Sequence, residues 1–202
     1  MVLMPRIILA SSSPRRIELL KQLGISFQVV PSGIPEVCDS GCSAADVALQ
    51  QAKAKAEAVA EKHPQEIVIA ADTVVCCDRE VLGKPRDWED AARMLRKLSG
   101  KVHEVHTGLV LWQKSSQQRA EDVVTTRVYF RNLEEREIFG YLATGEPFDK
   151  AGGYGIQGYG ALLVEKIEGC YYNVVGLPLA RLGEMLKGFG VDLLCQANTA
   201  SE

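Results

Sequence analysis

Apolar and polar positions alternate along this chain in blocks that read as strands and helices in turn. A short apolar run at 7–10, Ile-Ile-Leu-Ala, has strand character and stops at Ser11-Ser12-Ser13. Pro14, Arg15 and Arg16 follow, then Leu19, Leu20 and Leu23 at helical spacing. Residues 26–31 predict a second short strand, closing a β-α-β start. Residues 43–62, rich in Ala, Lys and Glu with Pro64 beyond, predict a long helix. The run 66–71 predicts a buried strand that ends in Asp72-Thr73, and strand character resumes at 74–77. Asp78-Arg79-Glu80 then reads as a turn, Val81-Leu82 as its return, and Gly83-Lys84-Pro85 as the end of a hairpin.

Asp87 caps a helix reaching Leu98, with Ala91, Met94, Leu95 and Leu98 on its core face. Residues 102–113 predict a long strand, 114–119 a polar turn, and 123–130 the returning strand. A helix over 133–143 stops at Thr144-Gly145-Glu146-Pro147. A glycine-rich segment precedes a strand at 161–167, and a last helix ends near Lys187. We read 1–190 as a single domain and 191–202 as a polar C-terminal tail.

Composition narrows the function classes. The chain has 202 residues, 47% of them hydrophobic, enough for one sizeable core in one or two lobes. Its net charge of -3 gives no support to a nucleic-acid groove. No apolar run is long enough to span a bilayer, and the N-terminus lacks the order of a signal peptide. These features predict a cytoplasmic protein whose six cysteines are reduced thiols. Cys38 and Cys42, and Cys76 and Cys77, lack a zinc partner set. His103 and His106 are three apart in a predicted strand, hence on opposite faces.

Several residues carry candidate chemistry. Pro14 suits the first helical position, which makes Ser13 the N-cap. A capping box would place Glu or Gln where Arg16 stands, and two cations in a first turn oppose the helix dipole. A bound phosphate would resolve the conflict; the alternative is two solvated arginines. Asp72 at a buried strand is costly unless paired or metal-bound. Lys84 on the adjacent strand could meet it across a cleft, or the two could form a structural ion pair. Glu36 follows a strand end, where α/β proteins place ligand-facing groups. Lys53 and Lys55 both read as residues of an exposed helix face. Gly153-Tyr154-Gly155-Ile156-Gln157-Gly158 matches G-x-G-x-x-G literally. A dinucleotide fingerprint needs a strand before it and a helix after, and here the order is reversed. The glycines instead let the backbone approach a partner, with Lys150 and Gln157 as the polar groups offered.

Seven motifs in sequence order carry a resemblance. They are Ser-x-Ser-Pro-Arg-Arg, Ala-Asp-Thr, Gly-Lys-Pro, Met-Leu-Arg-Lys-Leu-Ser-Gly, Thr-Gly-Glu-Pro, Asp-Lys-Ala-Gly-Gly-Tyr-Gly-Ile-Gln-Gly and Val-Val-Gly-Leu-Pro-Leu. From about Arg6 to Lys187 the chain resembles the Maf family of nucleoside triphosphate pyrophosphatases, in its dTTP/UTP-type subfamily. Ala71 replaces a glycine common before Asp-Thr, and Gly153 stands where alanine is frequent; neither removes a functional group. The resemblance implies an α/β fold: an elongated mixed β-sheet flanked by helices, with two lobes around a cleft, similar to inosine triphosphatase. It implies hydrolysis of dTTP and UTP to monophosphate and pyrophosphate with a divalent cation (Mg²⁺, Mn²⁺ or Co²⁺), as house-cleaning where the pyrimidine is modified.

By the same resemblance, Asp72 is the catalytic acid, as base, metal ligand or both. Glu36 joins it at the metal. Ser11, Arg16, Lys53 and Lys84 bind the phosphates. Arg15, Thr73 and Gln157 set the substrate class, and a homodimer is the implied assembly; neither nucleic acid nor membrane is a predicted partner. A guanidinium at Arg15 would repel the cationic ring of 7-methyl-GTP, whereas the Gln157 amide can match a pyrimidine imide. The other reading is a nucleotide-sensing regulator of cell division, a septum formation inhibitor, with incidental turnover.

Overall fold

The computed structural model describes residues 6–35 and 42–196. The N-terminal half gives strand β1 (Ile7–Leu9), helix α1 (Pro14–Gln22), β2 (Phe27–Val29), α2 (Ala44–Ala60), β3 (Ile67–Cys77), β4 (Glu80–Leu82) and α3 (Trp88–Leu98). Then come β5 (Val102–Gln113), β6 (Gln118–Phe130), α4 (Glu135–Ala143), β7 (Val164–Glu168), α5 (Tyr171–Val175), α6 (Leu179–Gly188) and α7 (Leu193–Gln196). Three 3₁₀ turns, Glu146–Asp149, Ala151–Gly153 and Gly158–Leu163, carry the glycine-rich segment between α4 and β7. The fold is a mixed seven-stranded sheet flanked by helices, in the order β2-β1-β3-β5-β6-β7, with β4 also paired to β3. β1 runs parallel to β2 and β3, and the other pairs are antiparallel.

The long strands β3 and β5 join two lobes. Ile67, Ile69 and Ala71 share one core with Leu19, Leu20, Leu182 and Leu186, residues of α1 and α6. Val75 and Cys77, farther along the same strand and face, share a second core with Leu95 and Leu98 of α3 and Ile138 and Leu142 of α4. The opposite face carries α2: Val68 and Ala70 pack on Ala52, Ala56 and Val59. Between the lobes, β3 is open along one side. β1 meets it at Ile67–Ile69 and β4 at Val75–Cys77, so among the described residues 70–74 have no strand on that side. The open stretch holds Asp72 and Thr73 and lies where the strand order reverses, the usual ligand position in α/β sheets.

Several elements differ from their sequence reading: the strand predicted from 161 starts at Val164 after a 3₁₀ turn, and the short helix α5 has no counterpart in it. β3 does not stop at Ala71 and restart at Val74 but runs through Asp72, because β5 pairs with it continuously from Val68 to Cys76. β6 begins at Gln118, before the apolar run at 123, because its exposed Arg119 and Glu121 alternate with more buried positions and its backbone still pairs with β5. Val191 is buried in the first core, so the chain packs past residue 190 before α7. Asp87 caps α3 as the sequence predicts, accepting from the main-chain N–H of Asp90, and Ser43 does the same for α2 from Asp46. Ser13 takes the N-cap position with Pro14 after it, yet its side chain makes no capping bond.

α2 lies close on the sheet because its inner face is nearly bare. Ala44, Ala48, Ala52, Ala56 and Ala60 recur every four residues, and all are buried. Opposite them stands Gly108 of β5, the cross-strand partner of Asp72. A Cβ there would sit 2.4 Å from the Ala48 carbonyl oxygen and 2.7 Å from Leu49 Cα. These are backbone atoms, so they cannot swing aside.

Two stability predictions follow from this packing. Gly108→Ala lifts α2 from the sheet and costs about 1–3 kcal/mol, the usual range for overpacking; an unchanged urea midpoint would refute the close approach. His103 is buried under Phe130 and Tyr154. Burial pulls its pKa from 6.5 down to about 4. Between those values the unfolded chain binds a proton that the folded chain refuses, so this contribution is fully present above pH 6.5. It is lost as pH falls to about 4, a change of about 3 kcal/mol. His103→Gln should flatten the stability–pH curve in that window relative to the parent, and equal slopes would remove the assignment.

Candidate functional site

The open stretch of β3 forms the floor of a cleft of about 480 Å³. The serine-arginine turn into α1 lines one side, β4 and Lys84 another, and the glycine-rich loop with Lys150 and Gln157 a third. Successive strand residues point to opposite faces. Asp72 therefore faces α2, with Val68 and Ala70, while Thr73 faces the side of Ala71 and Val75.

Asp72 is buried and forms an ion pair with Lys55 Nζ, itself buried on α2. Taking two charges out of water costs several kcal/mol each, which their attraction and further hydrogen bonds offset. The pair fixes α2 over the cleft floor. Gln51 and Val47, one and two turns earlier on the same face, also line the cleft.

The first turn of α1 is held by distant parts of the chain. Arg16 donates from Nε to the Gly176 carbonyl at 2.8 Å, from Nη1 to Ser11 Oγ at 3.3 Å and from Nη2 to Thr73 Oγ1 at 3.0 Å. Arg15 reaches over the mouth of the cleft to Asp149, with Nη1 at 2.8 Å from Oδ2. Asp149 also accepts from Lys150 Nζ at 2.6 Å. Burial alone would raise the Asp149 carboxyl, but Lys150 and Arg15 outweigh it and hold its pKa below the ordinary value.

The glycine-rich loop is anchored at several points. Gly152 N–H donates to the Gly83 carbonyl at 2.9 Å, and Gly155 N–H to Tyr141 Oη at 3.2 Å. Tyr154 Oη lies 2.6 Å from His103 Nε2. The Glu146 carboxylate accepts from the N–H groups of Tyr159 and Gly160. This leaves Gln157 exposed at the rim of the cleft.

Of the residues singled out by sequence, Ser11, Arg15, Arg16, Asp72, Thr73, Lys84 and Gln157 all line this cleft. Glu36 lies outside the described residues. Lys53 is not brought to the cleft: its Nζ pairs with Glu121 at 3.0 Å on a half-exposed face. The lysine that α2 brings to the cleft is Lys55, and the sequence carried a signal for it. Val47, Gln51, Lys55 and Val59 are four apart, one face of a helix closed by two valines, whereas Lys53 falls between Leu49 and Glu57. His103 and His106 do lie apart, the first bonded to Tyr154 and the second to Thr125.

The donor set suits only one kind of metal binding. Among the described residues no group of three His, Cys, Asp or Glu side chains could cage an ion. A Mg²⁺-type ion needs only one or two carboxylates, because substrate phosphates and water complete its shell. Asp72 in a cation-rich cleft fits that mode.

A family model described as Maf-like protein matches residues 6–189. The dTTP/UTP pyrophosphatase of Caldicellulosiruptor bescii is 49% identical over 195 residues, 95% of this chain and 98% of that one. That of Geotalea uraniireducens is 52% identical over 184 residues, covering 91% and 95%. That of Dictyoglomus turgidum is 50% identical over 189 residues, covering 93% and 98%. Among solved structures, the Ham1 protein of Staphylococcus aureus is 18% identical with a TM-score of 0.44, covering 62% of this chain and 71% of that one.

The two α2 lysines separate cleanly in stability. Lys55→Met leaves the Asp72 carboxylate buried without its ammonium and should cost about 3–5 kcal/mol. Lys53→Met breaks an exposed pair and should change stability by less than about 1 kcal/mol. Urea unfolding of both variants measures the contrast, and similar losses would contradict the burial of Lys55.

Proposed function

The chain belongs to the Maf-like protein family, and from that premise we propose that it hydrolyses dTTP and UTP to the nucleoside monophosphate and pyrophosphate. The observation that carries this reading is the buried Asp72–Lys55 pair at the open stretch of β3, facing the arginine turn of α1. The names of relatives about half identical over nearly the whole chain support it. A sensor that only bound a polyanion would gain nothing from a buried carboxylate among its cations.

In this reading water attacks the α-phosphorus, and Asp72 accepts its proton as the new O–P bond forms. The bond from the α-phosphorus to the bridging oxygen breaks, and pyrophosphate leaves. Arg16, Lys55 and Lys84 face the charge that develops on the triphosphate and its leaving group, with Ser11 beside them. A divalent ion held by Asp72 and the phosphates, with Glu36 as a second ligand, would neutralise charge and make the water more acidic. Lys55 takes the place in this scheme that the family resemblance implied for Lys53.

Base choice falls to Arg15 and Gln157 at the rim. The Gln157 amide has both a donor and an acceptor for a pyrimidine imide, and the Arg15 guanidinium repels a cationic 7-methylguanine. Thr73, the third specificity position, is bonded to Arg16 and so meets the substrate beside the phosphates. The same reading places the protein in the cytoplasm, as a homodimer.

The test is a panel of dTTP, UTP, CTP and 7-methyl-GTP, with and without a divalent cation, with products identified. We expect monophosphate and pyrophosphate from dTTP and UTP, and poor turnover of 7-methyl-GTP. Equal rates on all four would remove the base preference, and no turnover of any would remove the enzyme. Asp72→Asn should lower kcat by about 10²–10⁴. It should also lower stability, since Lys55 is then buried against a neutral amide.

A further inference from the structure

We propose that Thr107, a core residue of β5 two hydrogen bonds from Arg16, is a positioning residue for the phosphate-binding arginine. Its hydroxyl fixes the direction of the Thr73 hydroxyl, and through it the plane of the Arg16 guanidinium. The proposal rests on the reading of this cleft as a triphosphate site.

The hydrogen-bond directions follow from chemistry. A guanidinium has donors only. Arg16 Nη2 therefore donates to Thr73 Oγ1, 3.0 Å away, and Thr73 accepts. Thr73 Oγ1 also lies 3.0 Å from Thr107 Oγ1, a contact in which geometry alone allows either to donate. The tie is broken one residue farther in. Thr107 Oγ1 lies 3.1 Å from the main-chain carbonyl oxygen of Asn173, which can only accept. That carbonyl lies at the end of the short helix α5, where the N–H groups of Gly176 and Leu177 both go to Tyr172 instead. Asn173 is fully buried, so leaving its carbonyl without a donor would be costly. The one Thr107 proton goes to it. Thr73 must then be the donor between the two threonines, and its own proton points inward.

The result is a chain running one way: Arg16 to Thr73, Thr73 to Thr107, Thr107 to the Asn173 carbonyl. Bonds aligned like this polarise one another. The inner end is rigid. Thr107 is fully buried and is the cross-strand partner of Thr73, so the sheet register itself sets the two hydroxyls face to face. Asn173 donates from Nδ2 to the Val105 carbonyl and to Thr126 Oγ1, each at 3.0 Å. The outer end is set by a second contact, Arg16 Nε to the Gly176 carbonyl. Gly176 has φ 124°, a backbone region that favours glycine. The arginine is thus held from both sides, and Thr73 shows the cleft an acceptor oxygen, with its proton already committed.

A double-mutant cycle reads this directly. Thr107→Val removes the hydroxyl at nearly constant volume. It should lower kcat/KM for dTTP and for UTP by the same factor, about five- to tenfold, and leave their ratio unchanged. In an Arg16→Ala background the same change should have no further effect on kcat/KM, although it still lowers stability. Thr107→Ser should restore activity. Should Thr107→Val not fold, Thr107→Cys, whose thiol is only a weak donor, takes its place in the cycle, with a smaller loss expected in the parent background and none in Arg16→Ala. The NMR signal of Arg16 Nε–H gives a readout without turnover: it should lose its protection from exchange in Thr107→Val. Equal factors in both backgrounds, or an unaltered Arg16 signal, would overturn the proposal. Absence of hydrolysis by the parent protein would overturn the enzyme reading alone, and dTTP binding by calorimetry would then supply the same cycle.

Discussion

The ion pair between Lys55 and Asp72 is the constraint around which this molecule is arranged. Two opposite charges, each nearly excluded from water, lie at the one stretch of β3 that neither β1 nor β4 covers. Either charge alone would be far more costly there than the pair. The pair in turn demands that α2 approach the sheet closely along its whole length. The alanine stripe and Gly108 meet that demand, the first by giving α2 a bare face and the second by giving β5 room for its backbone. Helix sequence, sheet sequence and site are thus one requirement read at three places.

The same stretch of β3 explains why there is a cleft at all. A strand of eleven residues is long enough to serve two cores, with α1 and α6 on its first part and α3 and α4 on its second. The two lobes are covered by different helices, so the middle of the strand is covered by neither. Chemistry-bearing residues sit in that gap because it is the place where a strand is held rigidly by its neighbour, here β5, and still open on the other side. The glycine-rich loop closes over the gap, pinned by Tyr141, Tyr154 and Glu146.

Much of this was legible in the sequence, and the misses have physical causes. Asp72 stood out because an acid in an apolar run must be compensated, and Arg15 and Arg16 because they broke a local rule. Caps and the hairpin were readable because they depend on neighbours in the chain. Lys55 was passed over because lysine statistics favour exposure, although the valines one turn on and two turns back marked its face as buried. The unbroken course of β3 was hidden because an internal acid looks like an end; only pairing with β5, thirty-odd residues away, shows otherwise. Thr107 and His103 gave no signal at all. A threonine or a histidine in a strand is ordinary, and their roles come from partners at Asn173 and Tyr154.

The first turn of α1 shows how unequal two adjacent residues can be. Each arginine stands at the positive end of a helix dipole, an unfavourable placement of about 0.3–1 kcal/mol. Arg16 is half-buried and donates to a carbonyl and two hydroxyls; hydrogen bonds to a charged group contribute about 1.5–3 kcal/mol each, so its position is strongly favoured. Among the described residues Arg15 pairs only with Asp149, whose side chain is 61% exposed, and such a pair is worth at most about 1 kcal/mol. Its gain and its dipole cost nearly cancel. Arg16 is therefore fixed by the chain itself, the rigidity that the phosphate-binding role proposed for it requires. Arg15 can leave Asp149 at almost no cost, the freedom that the role proposed for it beside the base requires.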